Sequence, residues 1–276
     1  LGVQAAEIAM EMASVSPRDI DLIVFATISS DYFLPGSAVM VQEKMGMRHV
    51  GAFDVRAACS GFVYGLSIAD QFIRTGMHDN ILLVGAEIQS VALKFTTEHR
   101  NLAVLFGDGA GAVILQPSHD DSGVLSTHLH SEGSHLKDLW LPAPGSKYRP
   151  FNSKELIDKD LHVPHMNGRE VFKNAVIRFP EVIQEALDYN GLTLNDVALI
   201  IPHQANYRIS QAVAKRLGVG MDKMYSNIHK YGNTTAASIP IAMSEAYAEG
   251  KISPGDIVIL AAFGSGFTWA SAAIRW

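Results

Sequence analysis

The chain is poor in cysteine: Cys59 is the only one among 276 residues. That excludes a disulfide framework and a thiolate metal cluster, and it suits a reducing cytoplasm. Charge is also scarce, at 18% of residues where soluble domains average about 25%. A compact body with much buried area, or an oligomer, accounts for that shortage. Positive charge is the scarcer sign. The chain has 22 Lys and Arg against 28 Asp and Glu, a net charge of -6, and so lacks the basic face that nucleic acid requires. Long apolar runs are missing too. The longest, Ile257 to Phe263, has seven residues, whereas a membrane span needs roughly 20. Glu7 and Glu11 interrupt any signal-peptide core at the start. The first residue is Leu rather than Met, so natural sequence is expected upstream.

What the chain does have is a repeat. Asp19-Ile-Asp-Leu-Ile-Val24 and Asp196-Val-Ala-Leu-Ile-Ile201 each read as a polar start followed by a buried strand. So do Asp79-Asn-Ile-Leu-Leu-Val84 and Asp256-Ile-Val-Ile-Leu-Ala261, and the members of both pairs are separated by the same length of chain. Any α/β protein yields similar strands singly; the shared spacing makes duplication the better account. Phe106-Gly-Asp-Gly109 and Phe263-Gly-Ser-Gly266 correspond at a shorter spacing, so the first half carries an insertion before that point.

The intervening segments agree. Helices are predicted over Val3 to Ala13 and Glu170 to Tyr189, then Ser37 to Met45 and Asn206 to Leu217, then Cys59 to Thr75 and Thr234 to Ala248. Short strands are predicted at Ala52 to Val55 and Met224 to Ile228. Phe62, Leu66, Ala69 and Ile73 form an apolar stripe at helical spacing, and Gly76 and Gly250 act as helix stops. The expected architecture is α/β: two duplicated βαβαββ halves with mostly parallel sheets covered on both faces. The halves are assigned to residues 1–116 and 160–276, joined by 117–159, with its strand-like Val124 to His130 and a Pro/Gly/Ser-rich surface loop from Leu141 to Ser153. Asp160 to Asn167 is expected to open the second half, and the first half's matching strand is expected upstream of Val3.

Three residues stand where chemistry is commonly done. Cys59 follows a strand and begins a helix beside Ala57, Ala58 and Gly61; free N–H groups and the helix dipole favour its thiolate there. A lone Cys is more often a small buried hydrophobe, but this position tips the reading toward a nucleophile. His203 ends a buried strand in Pro-His-Gln-Ala-Asn206, at the end where ligands gather in α/β sheets; a structural histidine is an equally good account. Asn233, in Tyr231-Gly-Asn-Thr-Thr235, precedes the helix paired with that of Cys59, where Asn is usually an N-cap. Packing about a pseudo-twofold axis would bring the three together, with Gly264-Ser-Gly266 aiming a backbone N–H at the same spot. His128 with His130, and His162 with His165, have no zinc-ligand spacing. Phe106-Gly-Asp-Gly-Ala-Gly111 lacks the Lys and Ser/Thr of a phosphate loop.

The segments Ala57-Ala-Cys-Ser-Gly61, Phe106-Gly-Asp-Gly-Ala-Gly111, Pro202-His-Gln-Ala-Asn206, Gly232-Asn-Thr-Thr-Ala-Ala-Ser238 and Ala262-Phe-Gly-Ser-Gly-Phe-Thr-Trp269 span nearly the whole chain. In that order they resemble the β-ketoacyl-acyl-carrier-protein synthase III family of thiolase-fold condensing enzymes. The resemblance implies a layered α/β/α/β/α core and a catalytic triad on Cys59, His203 and Asn233. It also implies an oxyanion hole from the backbone N–H groups of Cys59 and Ser265, and decarboxylative condensation of an acyl-CoA with malonyl-acyl-carrier-protein, without a metal or resident cofactor. An acyl pocket is expected at Leu34, Phe106, Phe172 and Phe263, and pantetheine and CoA contacts at Arg100, Gly168, Ala205, Asn206 and Arg208. A patch of Lys173, Arg208, Lys215 and Arg216 is expected to receive the acidic carrier protein; lysines on a helix are otherwise an ordinary solvated face. Leu34 matches a gating residue projected from a partner subunit, which implies a homodimer and, because leucine is smaller than an aromatic, tolerance for primers longer than acetyl. The family's upstream Trp and Arg that clamp CoA have no counterpart in this sequence, and 141–160 is longer and richer in Pro than the family's pattern.

Rival readings are a sister condensing enzyme of polyketide, quinolone or ketone pathways, a pure acyltransferase, or a non-catalytic acyl-binding paralogue. A papain-like protease has Cys, His and Asn in the same order, but the Cys-Gly-Ser-Cys-Trp context and further cysteines of that family are missing.

Overall fold

A computed structural model describes residues 1–276. Its first half runs α1 (Gly2–Ala13), β1 (Leu22–Ala26), α2 (Ser37–Lys44), β2 (Gly51–Val55), α3 (Gly61–Arg74), β3 (Ile81–Glu87), a short α4 (Arg100–Ala103) and β4 (Gly109–Leu115). Then come β5 (Gly123–Ser131), β6 (Leu139–Trp140), α5 (Lys154–Asp158) and β7 (His165–Met166). The second half follows as α6 (Gly168–Tyr189), β8 (Val197–Pro202), α7 (Tyr207–Leu217), α8 (Ile228–Tyr231), α9 (Ser238–Ala248), β9 (Ile257–Gly264) and β10 (Thr268–Arg275).

Two four-stranded sheets carry the molecule, ordered β2-β1-β3-β4 and β5-β10-β9-β8. In the first, β1 pairs parallel with both β2 and β3, and β4 runs antiparallel on β3. The second repeats the scheme, with β8 parallel to β9 and β10 antiparallel to it. Alternation along the strands decides the layers. Leu22 and Val24 of β1 join Leu199, Ile201, Val258 and Leu260 of the other sheet in one core that also holds Phe62, Leu66, Ile239 and Met243 of α3 and α9. The intervening Ile23 and Phe25 face α1 and α2, packing on Ala6, Met10 and Val41. Ile200, Ile259 and Ala273 pack on Phe179 and Ile183 of α6 and Val213 of α7. Helices, sheet, helices, sheet and helices thus make five layers.

Two expectations change. Asp160 to Asn167 supplies no strand to the second sheet; only His165–Met166 is extended, paired with Leu139–Trp140 in a two-stranded ribbon. The strand that opens the second sheet is Gly123–Ser131, antiparallel on β10. The strand predicted over Met224 to Ile228 shrinks to a single bridge between Met224 and Ile200.

The duplication extends to the turns. A 3-10 turn, Ala58–Ser60, leads into α3, and another, Thr235–Ala237, leads into α9, at the same spacing as the strand pairs. Ala58 (φ 44°) and Thr235 (φ 49°) are both left-handed, an uncommon state for a residue with a Cβ and a genuine outlier for a β-branched one. Strain held at both matched positions marks them as functional candidates.

Candidate active site

Cys59 lies in the turn before α3, not inside the helix, and is 5% exposed. Its turn is held by the second half: Ser60 Oγ donates to the carbonyl of Thr268 (3.2 Å), whose own hydroxyl donates to Ser60 Oγ (3.1 Å). Gly264 has to be glycine, since a Cβ there would sit 2.7 Å from Cys59 Sγ and 2.4 Å from its Cβ. Backbone N–H groups of Ser265 and Cys59 hydrogen-bond at the sulfur and favour its thiolate. They are outweighed. Burial, with the negative charge of Glu87, pushes the thiol up to about 12. The local N–H groups act in the direction the sequence predicts, but burial in a low-dielectric wall penalises the charged form more than they reward it.

His203 follows β8, is 1% exposed, and has its Nδ1 2.6 Å from Ser238 Oγ at the start of α9. Its Nε2 is buried without a hydrogen-bond partner, which for a polar atom calls for an explanation. Burial drives the imidazole down to about 3, keeping it neutral. Asn233 is clamped by the first half, its N–H donating to Leu105 O (2.7 Å) and its carbonyl accepting from Gly107 (3.0 Å). A Cβ on Gly107 would meet Tyr231 O at 2.0 Å, so the close approach needs glycine. Thr235 N–H donates to Asn233 Oδ1 (2.9 Å). A backbone N–H only donates, so the side-chain oxygen faces the turn and the amide NH2 is left for the site.

These residues line one cavity of about 180 Å³, together with Phe106, Phe172, Phe263, Gly168, Ala205 and Asn206. A larger groove of about 830 Å³, between Tyr207, Tyr225 and Lys251, contains none of them; chemistry, not size, selects the smaller one. Ser265 does not line the cavity by its side chain, whose hydroxyl donates to Leu139 O (2.5 Å), but its N–H reaches the sulfur. Leu34 is 75% exposed and stands apart from the cavity, as does the exposed Arg100. Arg208, Lys215 and Arg216 lie exposed on α7 with no carboxylate within 4 Å, and Lys173 on α6 has only Glu170, at 3.8 Å. Asn206 caps α7 by accepting from Arg208 N–H (2.9 Å), so the basic patch begins at the cavity wall.

Several wall residues escaped the sequence reading. Leu139 and Met166 come from the β6–β7 ribbon, whose two-residue strands carry no periodicity. Ser238 and Glu87 act through other residues. Glu87 ends β3, 1% exposed, and its carboxylate accepts from Ser29 Oγ (2.6 Å), Thr27 Oγ1 (3.3 Å), Ile28 N–H (3.2 Å) and Ala236 N–H. Burial nonetheless raises it to about 7. The strand-pair spacing gave a signal for it: Glu87 ends β3 where Gly264, the residue packed on Cys59, ends β9, whereas Gly107 matches Gly264 only within the turn motif. No group of three His, Cys, Asp or Glu is arranged to hold a metal, and no helix is long and apolar enough to cross a membrane.

Two duplicated α/β halves stacked in five layers, with a buried cysteine, a histidine and an asparagine lining one cavity, belong to the acyl-transferring condensing enzymes of the thiolase fold. A family profile described as 3-oxoacyl-[acyl-carrier-protein (ACP)] synthase III matches residues 53–133, and its C-terminal counterpart matches residues 187–276. A β-ketoacyl-[acyl-carrier-protein] synthase III of Clostridioides difficile is 47% identical over 276 residues, covering 100% of this chain and 83% of that protein. Its counterpart from Caldanaerobacter subterraneus is 45% identical, covering 100% and 82%. The crystal structure of the Aquifex aeolicus 3-oxoacyl-[acyl-carrier-protein] synthase III superposes with a TM-score of 0.90 at 42% identity, covering 100% of this chain and 83% of that one. The chain belongs to the β-ketoacyl-acyl-carrier-protein synthase III family.

Proposed function

We infer that this chain condenses an acyl-CoA primer with malonyl-acyl-carrier-protein through an acyl-Cys59 intermediate, giving 3-oxoacyl-acyl-carrier-protein, CO2 and CoA, the first condensation of fatty acid synthesis. The observation that carries this reading is the convergence of Cys59, the partnerless Nε2 of His203 and the free amide of Asn233 on one small apolar cavity.

Cys59 Sγ attacks the thioester carbon, and the N–H groups of Cys59 and Ser265 hold the developing oxyanion. After CoA leaves, the malonyl thioester enters, with its carbonyl directed at Asn233 Nδ2 and His203. Donors there stabilise the enolate left by loss of CO2, and the carbanion attacks acyl-Cys59 and expels the thiolate, which takes up a proton. Decarboxylation generates the nucleophile without a strong base, so the site's lack of a free carboxylate fits the chemistry. No step calls on a cofactor or metal. Phe106, Phe172 and Phe263 form the acyl wall, while Gly168, Ala205, Asn206 and Arg208 take the pantetheine arm. Lys173, Arg208, Lys215 and Arg216 receive the acidic carrier protein, Arg100 reaches the CoA end, and the enzyme works as a cytoplasmic homodimer with Leu34 of one subunit at the other's acyl tunnel.

Intact mass after incubation with acyl-CoA tests this. One acyl adduct is expected, lost in Cys59→Ala. Asn233→Ala should still form the adduct while CO2 release from malonyl-carrier protein falls by about 10²–10³, the usual cost of one lost donor at a developing oxyanion. Absence of the adduct in the unsubstituted protein overturns the reading.

A further inference from the structure

His203 raises a question that the three-residue site leaves open: which ring nitrogen carries the hydrogen. Ser238 Oγ sits 2.6 Å from Nδ1. On its other side, 2.9 Å away, is the carbonyl of Thr235, to which the hydroxyl donates, and Gln204 N–H points at the same serine oxygen from 3.4 Å. A hydroxyl has one hydrogen to give and two lone pairs to accept with. With that hydrogen directed to Thr235 O, the oxygen is an acceptor toward the ring, so Nδ1 brings the hydrogen. A neutral imidazole has only one; Nε2 is then a bare lone pair. It is also the nitrogen that is buried with no partner in the protein, on a residue that lines the cavity with Cys59.

The repeat supplies an independent observation. At the spacing that relates the strand pairs, the counterparts of His203 and Ser238 in the first half are Ala26 and Gly61. The half that supplies the thiol therefore has neither the ring nor the hydroxyl. Both appear together in the half that needs a tautomer fixed, at a place where the fold itself accepts glycine.

We propose that Ser238 is a positioning residue that holds His203 in its Nδ1–H form, so that Nε2 accepts the Cys59 proton as the acyl-enzyme forms. This rests on the acyl-transfer reading of the cavity and adds the direction of proton flow to it. The S–H bond of Cys59 breaks as Sγ bonds to the thioester carbon, and the proton goes to Nε2. The carbon–sulfur bond to CoA then breaks, the CoA sulfur takes that proton, and His203 returns to neutral. Nothing else is consumed. A resting thiolate–imidazolium pair is not needed, in keeping with a cavity wall that penalises both charges. In the second half-reaction, Nε2 donates to the malonyl thioester only after it has taken a proton from water entering as CoA leaves. That proton passes to the Cys59 thiolate when the condensation product is released, so one solvent proton is consumed per turnover. The incoming malonyl carboxylate favours that protonation, since a nearby negative charge stabilises the imidazolium.

The test uses the full chain labelled with [15N]histidine, with the His203 ring signals assigned by their loss in His203→Ala. Nitrogen NMR between pH 6 and 9 is expected to show Nδ1 protonated and Nε2 bare; a protonated Nε2 in the neutral ring overturns the proposal. Ser238→Ala is expected to slow single-turnover acylation of Cys59 at least about tenfold, part of the 10²–10⁴ that positioned proton transfer supplies. Ser238→Thr, which keeps the hydroxyl, should restore most of it. Acylation by Ser238→Ala at the unsubstituted rate also overturns the proposal. The tautomer measurement needs no folded variant at Ser238, and it decides the question even if Cys59 forms no adduct, the result that would sink the acyl-transfer reading instead.

Discussion

At Cys59 the balance of two effects decides how the nucleophile is made. N–H groups at the sulfur favour the anion, while a wall of Phe263, Phe106 and Gly264 excludes the water that would solvate it. Burial wins, and the thiol is held near 12. Alkylation by iodoacetamide follows the thiolate fraction. Its rate on Cys59 is therefore expected to climb about tenfold per pH unit from 7 to 10 without levelling off; a plateau between pH 6 and 8 would show a resting ion pair instead. Cys59, His203 and Asn233 were legible in the sequence because each sits at an abrupt element boundary marked by small residues or by Pro and Gly. Ser238 was not. Its neighbours Ala236 and Ala237 read as ordinary helix start, and its partner lies 35 residues back, a contact that no local pattern encodes.

The turns before α3 and α9 pack against one another through β3. A Cβ on Gly85 would come within 2.6 Å of Ala236 O, so the strand and the turn touch backbone to backbone. Two positions on, Glu87 accepts from Ala236 N–H and from the end of β1, and Gln89 Nε2 donates to Thr235 Oγ1 (2.7 Å). The first half therefore grips the very turn that places Asn233 and Ser238. Glu87 achieves this at a cost, since its carboxyl is held near 7 against the usual 4.5. A raised carboxyl means that the folded state binds more protons than the unfolded state between those values, so stability falls as pH rises through that window. Relative to Glu87→Gln, which does not titrate, the unsubstituted protein is expected to lose about 3 kcal/mol between pH 4.5 and 7.5. Urea denaturation of both proteins at pH 5 and pH 8 checks this, and a pH-independent difference would contradict it. Removing the charge should also speed Cys59 alkylation at pH 8, because Glu87 is one of the two causes that raise the thiol. The repeat revealed the strands that make this junction, but the assignment of Asp160 to Asn167 as a strand failed for a physical reason. Alternation there is not extension: Asp160 is left-handed (φ 56°) and Val163 N–H closes a turn on Asp160 O (3.2 Å), leaving only His165–Met166 extended, while Gly123–Ser131 supplies the long strand paired on β10.

Over the whole molecule, the five layers were legible because each half repeats at a fixed spacing and each strand alternates between two cores. The surface was less so, since nothing local tells an exposed apolar loop from a poorly covered one. Tyr32, Phe33 and Leu34 follow β1 and are 61%, 73% and 75% exposed; Val91 and Phe95 follow β3 and are 78% and 73% exposed. The two loops leave adjacent parallel strands at the same end, joined by the bond from Ile88 N–H to Ser29 Oγ (2.8 Å), and Phe33 packs edge-on against Phe151. Apolar surface gathered in this way, at the strand ends where the cavity also lies, marks an interaction face. The homodimer proposed above would place a second copy on this face. Sedimentation at micromolar concentration is expected to give a species of twice the chain's mass. Leu34→Glu should shift it toward the monomer and slow acylation, because an unpaired charge buried in an apolar contact costs several kcal/mol. Leu34→Phe should leave the dimer intact while narrowing the primers accepted toward acetyl, since the larger ring fills tunnel that leucine leaves open. A monomer that acylates Cys59 at the full rate, or a Leu34→Phe protein that takes long primers as readily as the unsubstituted one, would remove Leu34 from the tunnel and the second subunit from the active site.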